Sequence, residues 1–66
     1  MKVKVKESGD YKFRLYRYGI PCQIYLNEKD ILDVRDNGMN YILTNTQNQC
    51  YVVSKNKFKT LFKVVG

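Results

Sequence analysis

The chain has no histidine, two cysteines, one proline and four scattered glycines in 66 residues. Without an imidazole, and with Cys22 and Cys50 lying 28 positions apart, a zinc site or a base-activated nucleophile has no material to be built from. The glycines at 9, 19, 38 and 66 form no phosphate-cradling loop. Four acidic residues, Glu28, Asp30, Asp33 and Asp36, alternate into a strand pattern instead of gathering into the oxygen cage that calcium needs, and read as a solvated rim. These gaps argue against an enzyme and against any metal or cofactor. No stretch approaches the roughly 18 apolar residues of a membrane helix. The opening "MKVKVKESGD" lacks the apolar core of a secretory signal. The expectation is a cytoplasmic protein that does not enter a membrane, with both thiols reduced.

What the sequence does have is positive charge and alternation. Twelve Lys and Arg against six Asp and Glu leave +6, distributed as +4 over residues 1–18, −2 over 19–54 and +4 over 55–66. If the two ends meet in the fold, one face carries enough charge to attract a polyanion across a Debye length. Biased base composition explains abundant Lys, Asn and Tyr equally well, but not the scarcity of acids at the ends. A chain this short forms one domain, residues 1–66, and buries only roughly 60% of its unfolded surface, so its core must be economical.

Period-two patterning dominates, and no helical periodicity lasts three turns. "KVKVKE" separates Val3 and Val5 from Lys2, Lys4 and Lys6; "YKFRLYRY" separates Tyr11, Phe13 and Leu15 from Lys12, Arg14, Tyr16 and Tyr18. Joined as a hairpin through Ser8-Gly9-Asp10, the runs oppose Val5 to Phe13 and Val3 to Leu15, which keeps one face apolar. The same register opposes Lys6 to Lys12 and Lys4 to Arg14, and opposed like charges weaken a sheet. Either a polyanion relieves that repulsion or the first run pairs elsewhere, with the C-terminal "LFKVV" as its alternative partner.

Pro21 marks a bend or a strand edge. Asn37-Gly38 between two apolar runs is a hairpin signal. "NTQNQ" is a polar turn before the strand "CYVVS", and Ser54 is placed to cap a helical turn across "KNKF". The resulting expectation is an all-β fold: a small barrel of five or so short antiparallel strands with one helical turn near residues 55–59. Tyr25, Ile31, Val34, Tyr41, Leu43, Val52, Phe58 and Phe62 are its expected core.

The second half, "YLNEKDILDVRDNGMNYILTNTQNQCYVVSKNKFKTLF", resembles the small SH3-like barrels encoded by phages and prophages of low-GC bacteria. The matching pieces are residues 31–34, the acidic turn 36–38, the Tyr-initiated strand 41–43, the polar turn 45–48 and Lys57-Phe58. Lys29 or Asp30 stands where that pattern has a glycine. The resemblance implies an SH3-like barrel and a phage origin, and brings no functional residue with it, since most such proteins have no assigned activity.

Function therefore has to come from the surface. Basic side chains that meet phosphates, set beside aromatic rings that stack on bases, are the components of nucleic-acid binding on small barrels. The candidate residues are Lys2, Lys4, Lys6, Lys12, Arg14, Tyr16 and Tyr18, with the C-terminal lysines as an extension. The alternative is an ordinary wet strand on a module that binds and modulates a bacterial host protein. Exposed strand edges add the expectation of a homodimer formed by edge pairing.

Overall fold

Val3 and Val5 have no exposed surface at all, and their burial explains the placement of the first strand. In the computed structural model, which describes residues 1–65, β1 (Lys2–Val5) lies between β4 (Leu32–Asp36) and β7 (Phe62–Val65). Its register sets Val5 opposite Phe62, Lys4 opposite Lys63, and Lys2 opposite both Val65 and Asp33. The hairpin of β1 with β2 (Gly9–Leu15) does not form, and the alternative pairing with the C-terminal run does. The reason is both steric and electrostatic. β7 pairs with both valines and β4 with Val3, both side chains are buried in the core, and only one opposed lysine pair, Lys4 and Lys63, is left on that ladder. Lys2 gains the Asp33 carboxylate at 2.8 Å. Ser8 turns no hairpin; its hydroxyl accepts the Glu28 N–H at 2.8 Å, tying the crossing between β1 and β2 to a distant loop.

β2 pairs along its length with β3 (Pro21–Leu26), and only its last two residues reach β6 (Cys50–Ser54). Gly19 closes the intervening turn with φ +63°, its N–H donating to the Leu15 carbonyl at 2.8 Å. Pro21 opens an edge strand, where its missing N–H is tolerated. β4 and β5 (Asn40–Thr44) form the expected hairpin around Asn37-Gly38; Gly38 sits at φ +91° and donates its N–H to Asp36 Oδ1 at 2.8 Å. Asn45 Oδ1 accepts the N–H groups of Gln47 and Gln49 and organises the turn into β6. Ser54 caps α1 (Lys55–Leu61), accepting the Lys57 N–H at 3.2 Å; the helix runs two residues beyond the expected turn.

The seven strands make one antiparallel sheet in the order β3-β2-β6-β5-β4-β1-β7. Phe13 on β2 and Phe62 on β7, second and last in that order, approach to 6.2 Å between ring centroids. A flat sheet would hold them many strand widths apart, so the sheet curls around its own core into a small all-β barrel-like fold. Phe58 from α1 closes the interior, stacked on Phe62 at 5.4 Å and tilted against Tyr41 at 4.5 Å. Three expected core residues stand outside it: Tyr25 is 62% exposed, Ile31 48%, and the half-buried Val52 faces the opposite side of β6 from Tyr51 and Val53. Tyr25 falls on the outward face of an edge strand, and Ile31 precedes β4 in the loop.

Candidate functional site

Inside and outside are cleanly divided along the middle strands. Phe13, Tyr51, Val53, Leu43 and Val34 point into the core, so the residues alternating with them point to the convex side. The registers of β2, β6, β5 and β4 align Arg14, Val52, Ile42 and Arg35 in one row across that side. The next row runs Cys50, Thr44, Asp33 and Lys2, with Tyr16 joined to it through its N–H to the Cys50 carbonyl at 3.0 Å. With strands roughly 4.8 Å apart, the row sets the Arg14 and Arg35 backbones about 14 Å apart. Ile42 is only 3% exposed yet does not join the core cluster. It lies instead under a second, outer layer, in a small hollow that Tyr16, Arg35, Asp36 and Asn37 also line.

Hollows flank this platform on both sides. One, about 320 Å³, is lined by Tyr16, Arg17, Tyr18, Arg35, Asn48 and Gln49 over a floor of Leu15 and Cys50. The other, about 540 Å³, lies over Val52 and is rimmed by Arg14, Lys57, Asn40 and Asn56. Neither has a carboxylate in its lining. All three arginines of the chain thus border one convex surface. Arginine offers a flat, weakly hydrated cation that stacks on rings and grips phosphate with two parallel bonds. The Arg14 guanidinium is steadied by its Nη1 donating to the Gly19 carbonyl at 3.0 Å. Tyr18 is 70% exposed and Tyr16 43%, so both present ring surface to solvent. Gln49 Oε1 accepts from Asn45 Nδ2 at 3.0 Å and from the Tyr51 hydroxyl at 3.1 Å, which fixes the side chain at the rim.

Two carboxylates approach the platform, and a lysine holds each. Asp33 pairs with Lys2, and that hydrogen bond is the main cause holding its carboxyl below the usual range. Asp36 accepts from the Gly38 N–H and pairs with Lys55 at 3.3 Å, which lowers it likewise. Both remain anionic at neutral pH with their charge locally matched, and the arginines are left unopposed.

The seven expected residues fall in three places. Lys2, Arg14 and Tyr16 stand on the convex platform, and Tyr18 lines its rim. Lys4 and Lys6 lie apart, at the margin formed by β1 and β7. There Lys4 opposes Lys63, and Lys6 Nζ donates to the Lys59 carbonyl at 3.4 Å. Lys12 faces outward opposite Gln23 on β3. The two basic ends of the chain therefore do meet, but through β1 and β7, while the β2 residues belong to another part of the surface. Arg17 and Arg35, which are not among the expected residues, complete the platform together with Lys57, one of the C-terminal lysines expected to extend it. Arg35 sits in a mildly acidic stretch of sequence, and only the cross-strand register places it level with Arg14.

Cys22 and Cys50 are free thiols on β3 and β6. Among the described residues no cluster of metal-ligating side chains occurs, and no helix is long and apolar enough to cross a membrane. No protein-family model, curated protein or solved structure matches the chain.

Proposed function

We propose that the chain is a non-catalytic nucleic-acid-binding module that receives a single strand across the convex face of β2, β6, β5 and β4. The observation that carries this reading is the gathering of Arg14, Arg17 and Arg35 around exposed Tyr16 and Tyr18, with both neighbouring carboxylates already paired. Arg14 and Lys57 meet phosphates on one side of the platform, and Arg17 and Arg35 on the other. Tyr18, and Tyr16 with its partly covered ring, stack on bases, which suits single strands whose bases are free of a partner. Four basic contacts at about 0.7 each give a slope of about −3 for log affinity against log salt.

A titration of fluorescently labelled single-stranded and duplex oligonucleotides at several salt concentrations tests the reading. The single strand binds more tightly, both affinities fall with salt, and Tyr18→Ala weakens the single strand most. Absence of binding at low salt, or an affinity indifferent to salt, contradicts it. A protein partner is the second reading, favoured by the high exposure of Tyr18 and Ile20 beside the platform. It would be supported by a stoichiometric protein captured from nuclease-treated lysate and lost with Tyr18→Ala.

A further inference from the structure

A curled sheet that does not close leaves two edges, here β3 and β7. Edge strands are commonly guarded by charge, by proline or by shortness, because their main-chain groups otherwise template another strand. β7 is four residues long and carries Lys63. β3 is six residues long and carries no charge, and its proline occupies only the first position. The Leu15 N–H bonds to the Ile20 carbonyl at 3.0 Å, which fixes the alternation of the ladder. Ile20, Cys22, Ile24 and Leu26 turn their main chain toward β2, leaving Pro21, Gln23 and Tyr25 turned to the open side. Among the described residues the Gln23 carbonyl accepts only a long hydrogen bond, 3.9 Å, from the Cys22 thiol.

The charge around this edge is polar along its length. Arg14 lies opposite Pro21 at the N-terminal end, with Arg17 in the turn just before it. Asp10 lies opposite Tyr25 at the other end, and Glu28, Lys29 and Asp30 follow in the loop, leaving that end net negative. A second copy aligned antiparallel sets each basic end against the partner's acidic end, whereas a parallel copy sets like against like. Two of the large apolar side chains left exposed among the described residues, Ile20 and Tyr25, lie on or beside this edge strand.

We infer that the protein forms a two-fold homodimer by antiparallel pairing of β3 with β3 of a second copy, centred on Ile24. Equal parity of facing residues requires the axis to pass through a residue, and Gln23 and Ile24, the middle of the strand, give the longest overlap. Centring on Gln23 places the Tyr25 carbonyl opposite Pro21, which has no N–H to give. Centring on Ile24 sets Gln23 against Tyr25 in both directions, so each main-chain donor and acceptor of these two residues is bonded. It also extends the outer row as Lys12, Gln23, Tyr25 and Asp10, with unlike charges at its ends. The pairing uses only this edge and leaves the convex arginine platform free, so it stands or fails separately from nucleic-acid binding.

Sedimentation velocity over a hundredfold range of protein concentration, with no nucleic acid present, tests it. The wild-type protein shifts reversibly from monomer to dimer as concentration rises. Gln23→Pro removes an edge donor that β2 does not use, and Tyr25→Lys places a charge on the pairing face. Both stay monomeric at the highest concentration, and circular dichroism of Tyr25→Lys matches the wild type. Val64→Lys, on the opposite edge, dimerises as the wild type does. A wild-type monomer throughout, a Tyr25→Lys protein that still dimerises, or loss of the dimer in Val64→Lys overturns the inference.

Discussion

Two aspartates and one leucine show how little separates this chain's surface chemistry from its stability. Asp33 and Asp36 have carboxyls held below their ordinary range by hydrogen bonds, from Lys2 in the first case and from the Gly38 N–H and Lys55 in the second. A depressed folded-state pKa contributes stability that is present above the unfolded value of about 3.9 and is lost as pH falls through the lowered values. The melting temperature accordingly drops on acidification below about pH 4, and Asp33→Asn flattens that drop in a pH-dependent thermal melt. Both carboxylates are exposed, so the effect is modest and weakens with salt. Leu43 is a different matter, being one of the largest fully buried side chains. Leu43→Ala leaves a cavity worth about 2–5 kcal/mol, against a total of roughly 3–10 kcal/mol expected for a chain of this size. Urea titration will find this variant near the edge of unfolding. The core faces of β4 and β5 were legible in the sequence through Val34, Tyr41 and Leu43, whereas in the unbroken apolar run of β6 Val52 was expected inside and Tyr51 and Val53 are the residues buried. Tyr25 was not legible, since an aromatic residue looks the same on a central or an edge strand, and Ile31 was not, since it stands in the loop just before β4.

Strand elements were readable, and their partners only in part. Alternation identifies "KVKV" as a strand with valines inward, and nothing local says which neighbour covers them. A short loop favours the hairpin with β2; complete burial of Val3 and Val5 on a strand paired with β7, and at Val3 with β4 as well, outweighs that advantage. The opposed like charges of the hairpin register were the physical hint that it was the weaker choice. The actual pairing keeps one such conflict, Lys4 against Lys63. Lys63→Glu converts that repulsion to attraction and raises stability by about 0.2–1 kcal/mol at low salt, a gain that fades as salt rises. Chemical denaturation at two salt concentrations reads both the sign and the fading. Local signals did better where the chemistry is local: Asn37-Gly38 turns between β4 and β5, and Ser54 caps the single helix.

At the scale of the whole molecule, the register decides what the basic residues do. Counting charge along the chain collects Lys2, Lys4, Lys6, Lys12 and Arg14 into one stripe. The curled sheet redistributes them between a lysine-rich margin at β1 and β7 and an arginine and tyrosine platform on the convex side. Arg35 reaches that platform only through three successive cross-strand pairings, beyond the view of any local motif. A β3-paired dimer would present two such platforms on one particle, so that linked sites on a single polyanion bind with increased avidity. The central claim is that the platform, and not the total charge, binds nucleic acid. The most direct test compares three proteins in a single-strand titration across salt: wild type, Arg14→Gln/Arg35→Gln, and Lys4→Gln/Lys63→Gln, the last two losing equal charge. The platform variant should bind at least tenfold more weakly with a salt slope smaller by about 1.4, while the margin variant stays within a few-fold of wild type. Equal losses in the two variants, or a larger loss in the margin variant, would contradict the account.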